Sequence, residues 1–436
     1  MAFLTDEKFS CFEPCSLRLT HFPMTANHFN PRLAVVCLAA ASAGLALAII
    51  SISKVILVLT ALAVLLRKKQ WSSSETPLTG LWTPRVILTV LFAFAFSLLW
   101  TSASMSDALG AMGKYGKFLV IPALLVLIRS QREAAWALSA FLCGQIFLLA
   151  SSWLLYFHVP LIWATSNMAT SRYAVFSSYL DQGIMSGTVA AIFWHLRSLA
   201  PSRSLQFVVV GLSVLALGNT LIVFVGRTGY LVAAAMVSLA FLWALPKRYR
   251  FAAILMPPMV IVLSVLSFEN VAQRFAFTKT EISAYSAGSG AATSTDNRLD
   301  FWRGSVEAIF QKPLAGAGVG SWTTEYNRIE ALKHPSHKDL NPGGNPHQEF
   351  LLWGVQLGVG GIALLLAFLS AAVLDFLRFD IPVARAGQSV VLALAVSCLF
   401  NASIFDAYIG DFFCLAIGVL LAYGVRSRQN LPIPSA

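Results

Sequence analysis

The 436 residues are 57% hydrophobic and only 12% charged, with 31 Lys and Arg against 20 Asp and Glu, giving a formal net charge of +11. Soluble globular chains carry about a quarter charged residues, so this composition excludes that class and indicates an all-α polytopic membrane protein. The basic excess is not interleaved with aromatics on a soluble face, which argues against a nucleic-acid partner.

Residues 1–32 read as an inside tail without a cleavable signal, since no small-residue cleavage site follows the first apolar run. Cys11 and Cys15 in that tail lack companion ligands. A hydrocarbon core of roughly 30 Å needs about 20 apolar residues per helix, and about twelve runs meet that need. They are 33–50, 51–66, 84–101, 115–130, 133–157, 184–200, 204–224, 228–246, 250–267, 348–374, 385–403 and 408–425. The first two form a hairpin that turns near Lys54. With both termini inside, the inner segments collect Arg67, Lys68, Lys69, Arg129, Arg132, Arg197, Arg203, Lys247, Arg248, Arg250, Arg378 and Arg385, whereas the short outer loops hold Lys54, Lys114, Lys117, Arg172 and Arg227. That asymmetry follows the positive-inside rule. Helices one to nine therefore fill 33–267 and helices ten to twelve 348–425, with an inside tail at 426–436. No cysteine falls in an outer loop, so no disulfide framework is expected there.

The one long outer loop, residues 268–347, carries eight basic and eight acidic residues. A segment of that length is functional or mobile. Its stretch "SAYSAGSGAATSTDN" has the composition of a mobile linker. A helix follows, capped by Asp296, with Leu299, Trp302, Val306, Ile309 and Phe310 at helical spacing. In "KPLAGAGVGSW" the glycines Gly316, Gly318 and Gly320 lack the strand and spacing of a dinucleotide fingerprint; they read as tight turns where the loop packs on the membrane helices.

"NPHQEFLLWGVQLGVGG" closes the loop. Asn345 is expected to cap a helix, with Pro346 in its first position and His347 in its first turn. The positive end of the helix dipole disfavours an imidazolium there, so the ring reads as a neutral proton acceptor. Gly354, Gly358 and Gly361 fall on the face of His347 and would let another helix approach closely; a histidine merely hydrogen-bonded at a helix start is the plainer alternative. Arg227, in "VGRTGYL", opens an outer-side span where an arginine either snorkels to lipid phosphate or binds an anionic ligand. Arg298 and Arg303 are five residues apart and point about 140° from each other on a helix, so only one is expected to face a shared site, and Arg298 lies nearer the positive helix start. Arg172 is a weaker candidate for the same anion. Asp406 and Asp411 flank the last outer turn and read as solvated turn acids that could orient a histidine. No cluster has metal-ligand spacing.

Together, "GRTGYL", "RLDFWRGSVEAI", "KPLAGAGVGSW" and the His347 stretch resemble the O-antigen ligase and polymerase superfamily of bacterial envelope glycan transferases, in order, side and spacing. The resemblance implies a GT-C-like glycosyltransferase of the inner membrane, whose residues 268–347 form a large periplasmic loop containing helices. It implies a glycan donor on undecaprenyl diphosphate, no cofactor and no metal. The superfamily's essential residues fall on His347, Arg227 and Arg298, with Arg303 and Arg172 as further substrate-binding candidates. Within it, a ligase passes the glycan to lipid A-core, and this reading is preferred over a polymerase extending lipid-linked repeats. The short C-terminal tail argues against transfer to protein. A secondary transporter or lipid flippase is the alternative from a different class; it would need buried coupling carboxylates and paired broken helices.

Overall fold

The structure, a computed structural model, describes residues 30–67, 78, 80–286, 294–333 and 343–429. The tail cysteines Cys11 and Cys15 and the centre of the Ser/Gly/Ala/Thr-rich stretch lie outside the described residues. In chain order the helices are α1 Pro31–Ser42, α2 Leu47–Leu66, α3 Trp82–Phe96, α4 Met105–Tyr115, α5 Val120–Leu127, α6 Gln131–Tyr156, α7 Ala169–Arg172, α8 Tyr179–Leu196, α9 Arg203–Gly218 and α10 Arg227–Ala244. They continue with α11 Met256–Ser267, α12 Glu269–Ser286, α13 Ser294–Gln311, α14 Trp322–Lys333, α15 Glu349–Phe376, α16 Ile381–Cys398 and α17 Ala407–Gln429.

Each of the twelve expected apolar runs carries a helix. Among the described residues nine helical stretches are long and apolar enough to cross a membrane, namely α2, α3, α4 with α5, α6, α9, α10, α15, α16 and α17; the count is ten if α11 and α12, bent by 107°, form one broken span. The remaining runs fall on α1 and α8. α1 has only 12 residues. α8 holds Asp181, Gln182 and His195, a polar content tolerated because α9, α10 and α16 wall it from lipid. The first hairpin turns at residues 43–46, not near Lys54 as the sequence suggested. Lys54 instead sits within α2, and its Nζ lies 2.6 Å from an Asp411 carboxylate oxygen on α17. A charge inside a span needs such a partner.

α17 is the central post: 89% of its apolar window is buried, against 22% for α2 at the rim. α5, α6 and α16 pack around it. The segment between α11 and α15 holds the three helices α12, α13 and α14. α13 begins at Ser294, so Asp296 lies in its first turn and does not cap it.

The feature that places the site is a break in α15. Gly358 leaves helical geometry with φ +65° and ψ −155°, which frees backbone groups that cannot stay unpaired within a membrane. The loop after α13 pairs them: Ala317 N–H donates to Val355 O (2.8 Å), Gly318 N–H to Gln356 O (2.8 Å), and Val359 N–H to Pro313 O (2.8 Å). The approach needs glycine on both sides. A Cβ at Gly316 would sit 2.5 Å from the Gln356 carbonyl carbon, and one at Gly358 2.4 Å from Pro313 O. Thus "KPLAGAGVGSW" makes tight turns against a membrane helix, as its composition suggested. The expected common face of Gly354, Gly358 and Gly361 is interrupted by the break, although Gly354 does admit Ile309 of α13 closely.

Candidate functional site

α8, α10, α15 and α17 start at the end of the bundle where α16 stops, and α13 lies across that end on α15. His347 sits there, but not as the sequence predicted. α15 starts at Glu349 and is capped by Gln348, whose side-chain oxygen accepts from Leu351 N–H at 2.5 Å. His347 therefore precedes the helix, in a left-handed conformation with φ +53°. Such a conformation is unfavourable for a residue with a Cβ and persists only where surroundings impose it. They do so here. Asn345 Oδ1 accepts from His347 N–H at 2.8 Å, and Asn345 Nδ2 donates to Asp406 Oδ1 at 3.1 Å. Trp302 Nε1–H donates to Pro346 O at 3.1 Å, and the Phe301 ring lies 6.5 Å from the His347 ring. Burial, then the positive charge of Arg298, pushes His347 down to about 4. The ring is neutral near pH 7, though the helix dipole is not the cause.

Glu349, 0% exposed, locks the neighbouring turn to α15: one oxygen accepts from Ile404 N–H (2.8 Å) and Phe405 N–H (3.2 Å), the other from Trp353 Nε1–H (2.8 Å). A fully buried carboxylate persists only with such complete satisfaction.

Arg298 extends from α13 toward that turn. Its Nη1 donates to Phe400 O at 3.3 Å and its Nη2 to Asn401 Oδ1 at 3.4 Å. Both bonds are long and both acceptors neutral. Burial lowers the Arg298 guanidinium, and the adjacent charges of Arg227 and Arg274 lower it further, only partly offset by Tyr179 and Asp406. Asn401 Nδ2 donates to Thr228 Oγ1 at 3.2 Å, which brings the Arg298 end of α13 to the first turn of α10. Arg227, the first residue of α10, does not snorkel. Its Nη1 donates to Thr278 Oγ1 (3.1 Å) and Thr295 Oγ1 (3.0 Å) and lies 3.4 Å from Glu281 Oε2, so it is held by α12 and α13.

The structure thus brings His347, Arg298 and Arg227 to one place and turns Arg303 away from them, while Arg172 adjoins Tyr179, an electrostatic neighbour of Arg227 and Arg298. Arg303 lies on the opposite face of α13, among Leu299, Trp302, Val306 and Phe310. Arg172 is exposed and stacks over the Tyr179 ring at 5.4 Å. Asp406 and Asp411 are not solvated turn acids. Asp411 is 1% exposed and paired with Lys54; Asp406 is raised by burial, against the nearby charges of Lys117 and Lys114, and reaches His347 through Asn345. Lys117 is itself buried and donates to Asp406 O at 2.6 Å.

Sequence reasoning missed Arg274, Asn401 and the link from Asp406 through Asn345. Arg274 Nε is buried with no hydrogen-bond partner; its position on the α12 face toward the arginines is a tertiary fact without a local signal. Among the described residues no group of three His, Cys, Asp or Glu could hold a metal ion.

The arrangement defines a class: a multi-pass helical membrane protein with convergent guanidiniums and a neutral imidazole at one end of its bundle. Residues 212–366, which contain Arg227, Arg298 and His347, match the family described as O-antigen ligase. The match supports assignment of the chain to the O-antigen ligase family, among the O-antigen ligase and polymerase-like membrane enzymes. No curated protein matches the chain.

Proposed function

We propose that the protein is an inverting O-antigen ligase that transfers a glycan from undecaprenyl diphosphate to a sugar hydroxyl of lipid A-core, at the periplasmic face of the inner membrane and without a metal. The observation that carries this reading is Arg298. It is a half-buried guanidinium with two long bonds to neutral acceptors, beside Arg227 and next to a neutral histidine. Positive groups fixed where negative charge grows stabilise the transition state without reorganisation.

In the proposed reaction His347 accepts the proton of the acceptor hydroxyl as its oxygen bonds to the anomeric carbon. The bond from that carbon to the diphosphate oxygen breaks on the opposite side, and undecaprenyl diphosphate leaves with its charge facing Arg298 and Arg227. The GT-C-like fold with twelve spans, and the outward placement of residues 268–347, belong to the same reading; the inward bias of Lys and Arg supports it. The buried acids of the spans have fixed structural partners, Asp411 with Lys54, Glu349 with the Ile404, Phe405 and Trp353 N–H groups, and Asp375 with Thr83, which speaks against their coupling ions in a transporter.

The test is transfer in vitro by purified protein, with undecaprenyl-diphosphate-linked glycan and lipid A-core, in EDTA. His347→Ala should lower transfer by roughly 10²- to 10⁴-fold, the range of a lost general base, while donor binding survives. Lengthening of the lipid-linked glycan by wild type would make it a polymerase, and equal transfer by both proteins would remove His347 from the chemistry.

A further inference from the structure

α13 has two faces, and from the outer one the site described above uses only the Trp302 indole N–H. The inner face presents Arg298, Phe301, Ser305 and Ile309 to the bundle end, with Ile309 packed at Gly354 of α15. The outer face presents Leu299, Trp302, Val306 and Phe310 as an open apolar groove flanked by Arg303, Glu307 and Gln311. It is well exposed: Phe310 is 79% and Leu314, just beyond the helix, 86% accessible. Large exposed apolar surface of this kind marks a partner or a lipid surface.

What adjoins the groove identifies the occupant. Trp100 Nε1–H donates to Ala315 O at 3.2 Å, which sets Leu314 beside the end of α3. The outward side chains of that span, Phe92, Phe96 and Leu99, are 69%, 52% and 77% exposed, as expected for residues facing lipid. On the other side, Val359 N–H donates to Pro313 O, so Leu314 also adjoins Val359, an exposed residue of the span α15. The apolar face of α13 is therefore continuous, through Leu314, with the lipid-facing surfaces of two membrane helices. Its charged rim next to a tryptophan is the composition of a helix lying in a membrane interface.

We infer that α13 and the turn after it lie in the bilayer surface, with Phe310 and Leu314 inserted among phospholipid acyl chains, so that Arg298 on the opposite face is held at headgroup depth. This placement rests on the geometry of the face and stands or falls separately from the reaction proposed above. It would present the two arginines at the level where a lipid-linked phosphate rides, with no need to lift the lipid from the membrane.

The full chain is reconstituted in nanodiscs of phosphatidylethanolamine and phosphatidylglycerol, with a photoreactive benzoylphenylalanine at Phe310 in one sample, at Leu314 in a second and at Phe92 of α3 in a third. Irradiation should add the mass of one phospholipid at all three positions. Phospholipid at Phe92 but none at Phe310 or Leu314 overturns the inference. So does a product of twice the protein mass from the Phe310 probe, which would assign the face to a second copy of the chain. Because no transfer is assayed, a failure here leaves the ligase reading untouched, and an inactive ligase leaves this result intact.

Discussion

Two charges on neighbouring helices of the same loop segment, one buried and one half-buried, show opposite states. Glu325, on α14, is 2% exposed, and its carboxylate accepts from Ser102 Oγ (2.8 Å), Lys312 Nζ (2.8 Å), Arg328 Nε (3.0 Å) and Arg328 Nη2 (2.9 Å). Burial alone would raise this carboxyl, but those hydrogen bonds outweigh it and hold it below the ordinary range. Arg298, on α13, has two long bonds to neutral oxygens and other guanidiniums as its electrostatic neighbours. A saturated buried charge fixes a fold, here by tying α14 to the α3–α4 connection and to the loop that enters the α15 break. An unsaturated one is a cost the fold carries, which in the proposed reaction the diphosphate would offset.

The sharpest way to break this comparison is to neutralise both residues. Arg298→Gln should lower transfer by roughly 10²- to 10³-fold, the scale of losing one charge-stabilising donor, with a melting temperature equal to or above wild type. Glu325→Gln should do the reverse, losing about 1–3 kcal/mol of stability, since donors lose their charged acceptor, with transfer per folded molecule retained. Equal destabilisation by the two, followed by thermal unfolding in detergent, would erase the distinction.

Acidification sharpens it further. His347 is depressed in the folded state relative to an ordinary imidazole, to about 4. The unfolded chain thus binds more protons between about 6.5 and 4, so this residue's share of stability falls as pH drops through that window. If His347 is the base of the proposed reaction, its basic form persists to about pH 4 in the free protein, and a bound diphosphate, opposing the Arg298 charge, should move the acid limb upward. A pH profile of kcat/KM with its acid limb near 6.5 would show that burial and Arg298 do not govern the ring. The smallest effects belong to the outlying cations: Arg303→Ala and Arg172→Ala should each change initial transfer rates less than about threefold, and a loss approaching that of Arg298→Gln would enlarge the site.

Much of the fold was legible because apolar length is a local property: each expected run carries a helix. The separation of Arg298 from Arg303 was legible for a similar reason, since helical periodicity alone sends them to different faces. The site's fine geometry was not. Proline after asparagine signals a helix start at Asn345, yet Asn345 turns back on His347 because Asp406, distant in sequence, holds its amide. Lys54 looked like a turn residue because its partner Asp411 lies 357 residues away. Arg274 carried no signal at all; only the folding of α12 over α10 gives it company.

The break at Gly358 also constrains how the molecule is made. α15 cannot complete its hydrogen bonding alone, because Val355, Gln356 and Val359 take partners from residues 313–318. Those residues are synthesised first. Insertion of this helix and docking of the preceding loop are therefore one event in biogenesis: a chain whose residues 313–318 were replaced by a flexible linker of equal length would leave a half-formed span exposed to the quality-control proteases of its membrane.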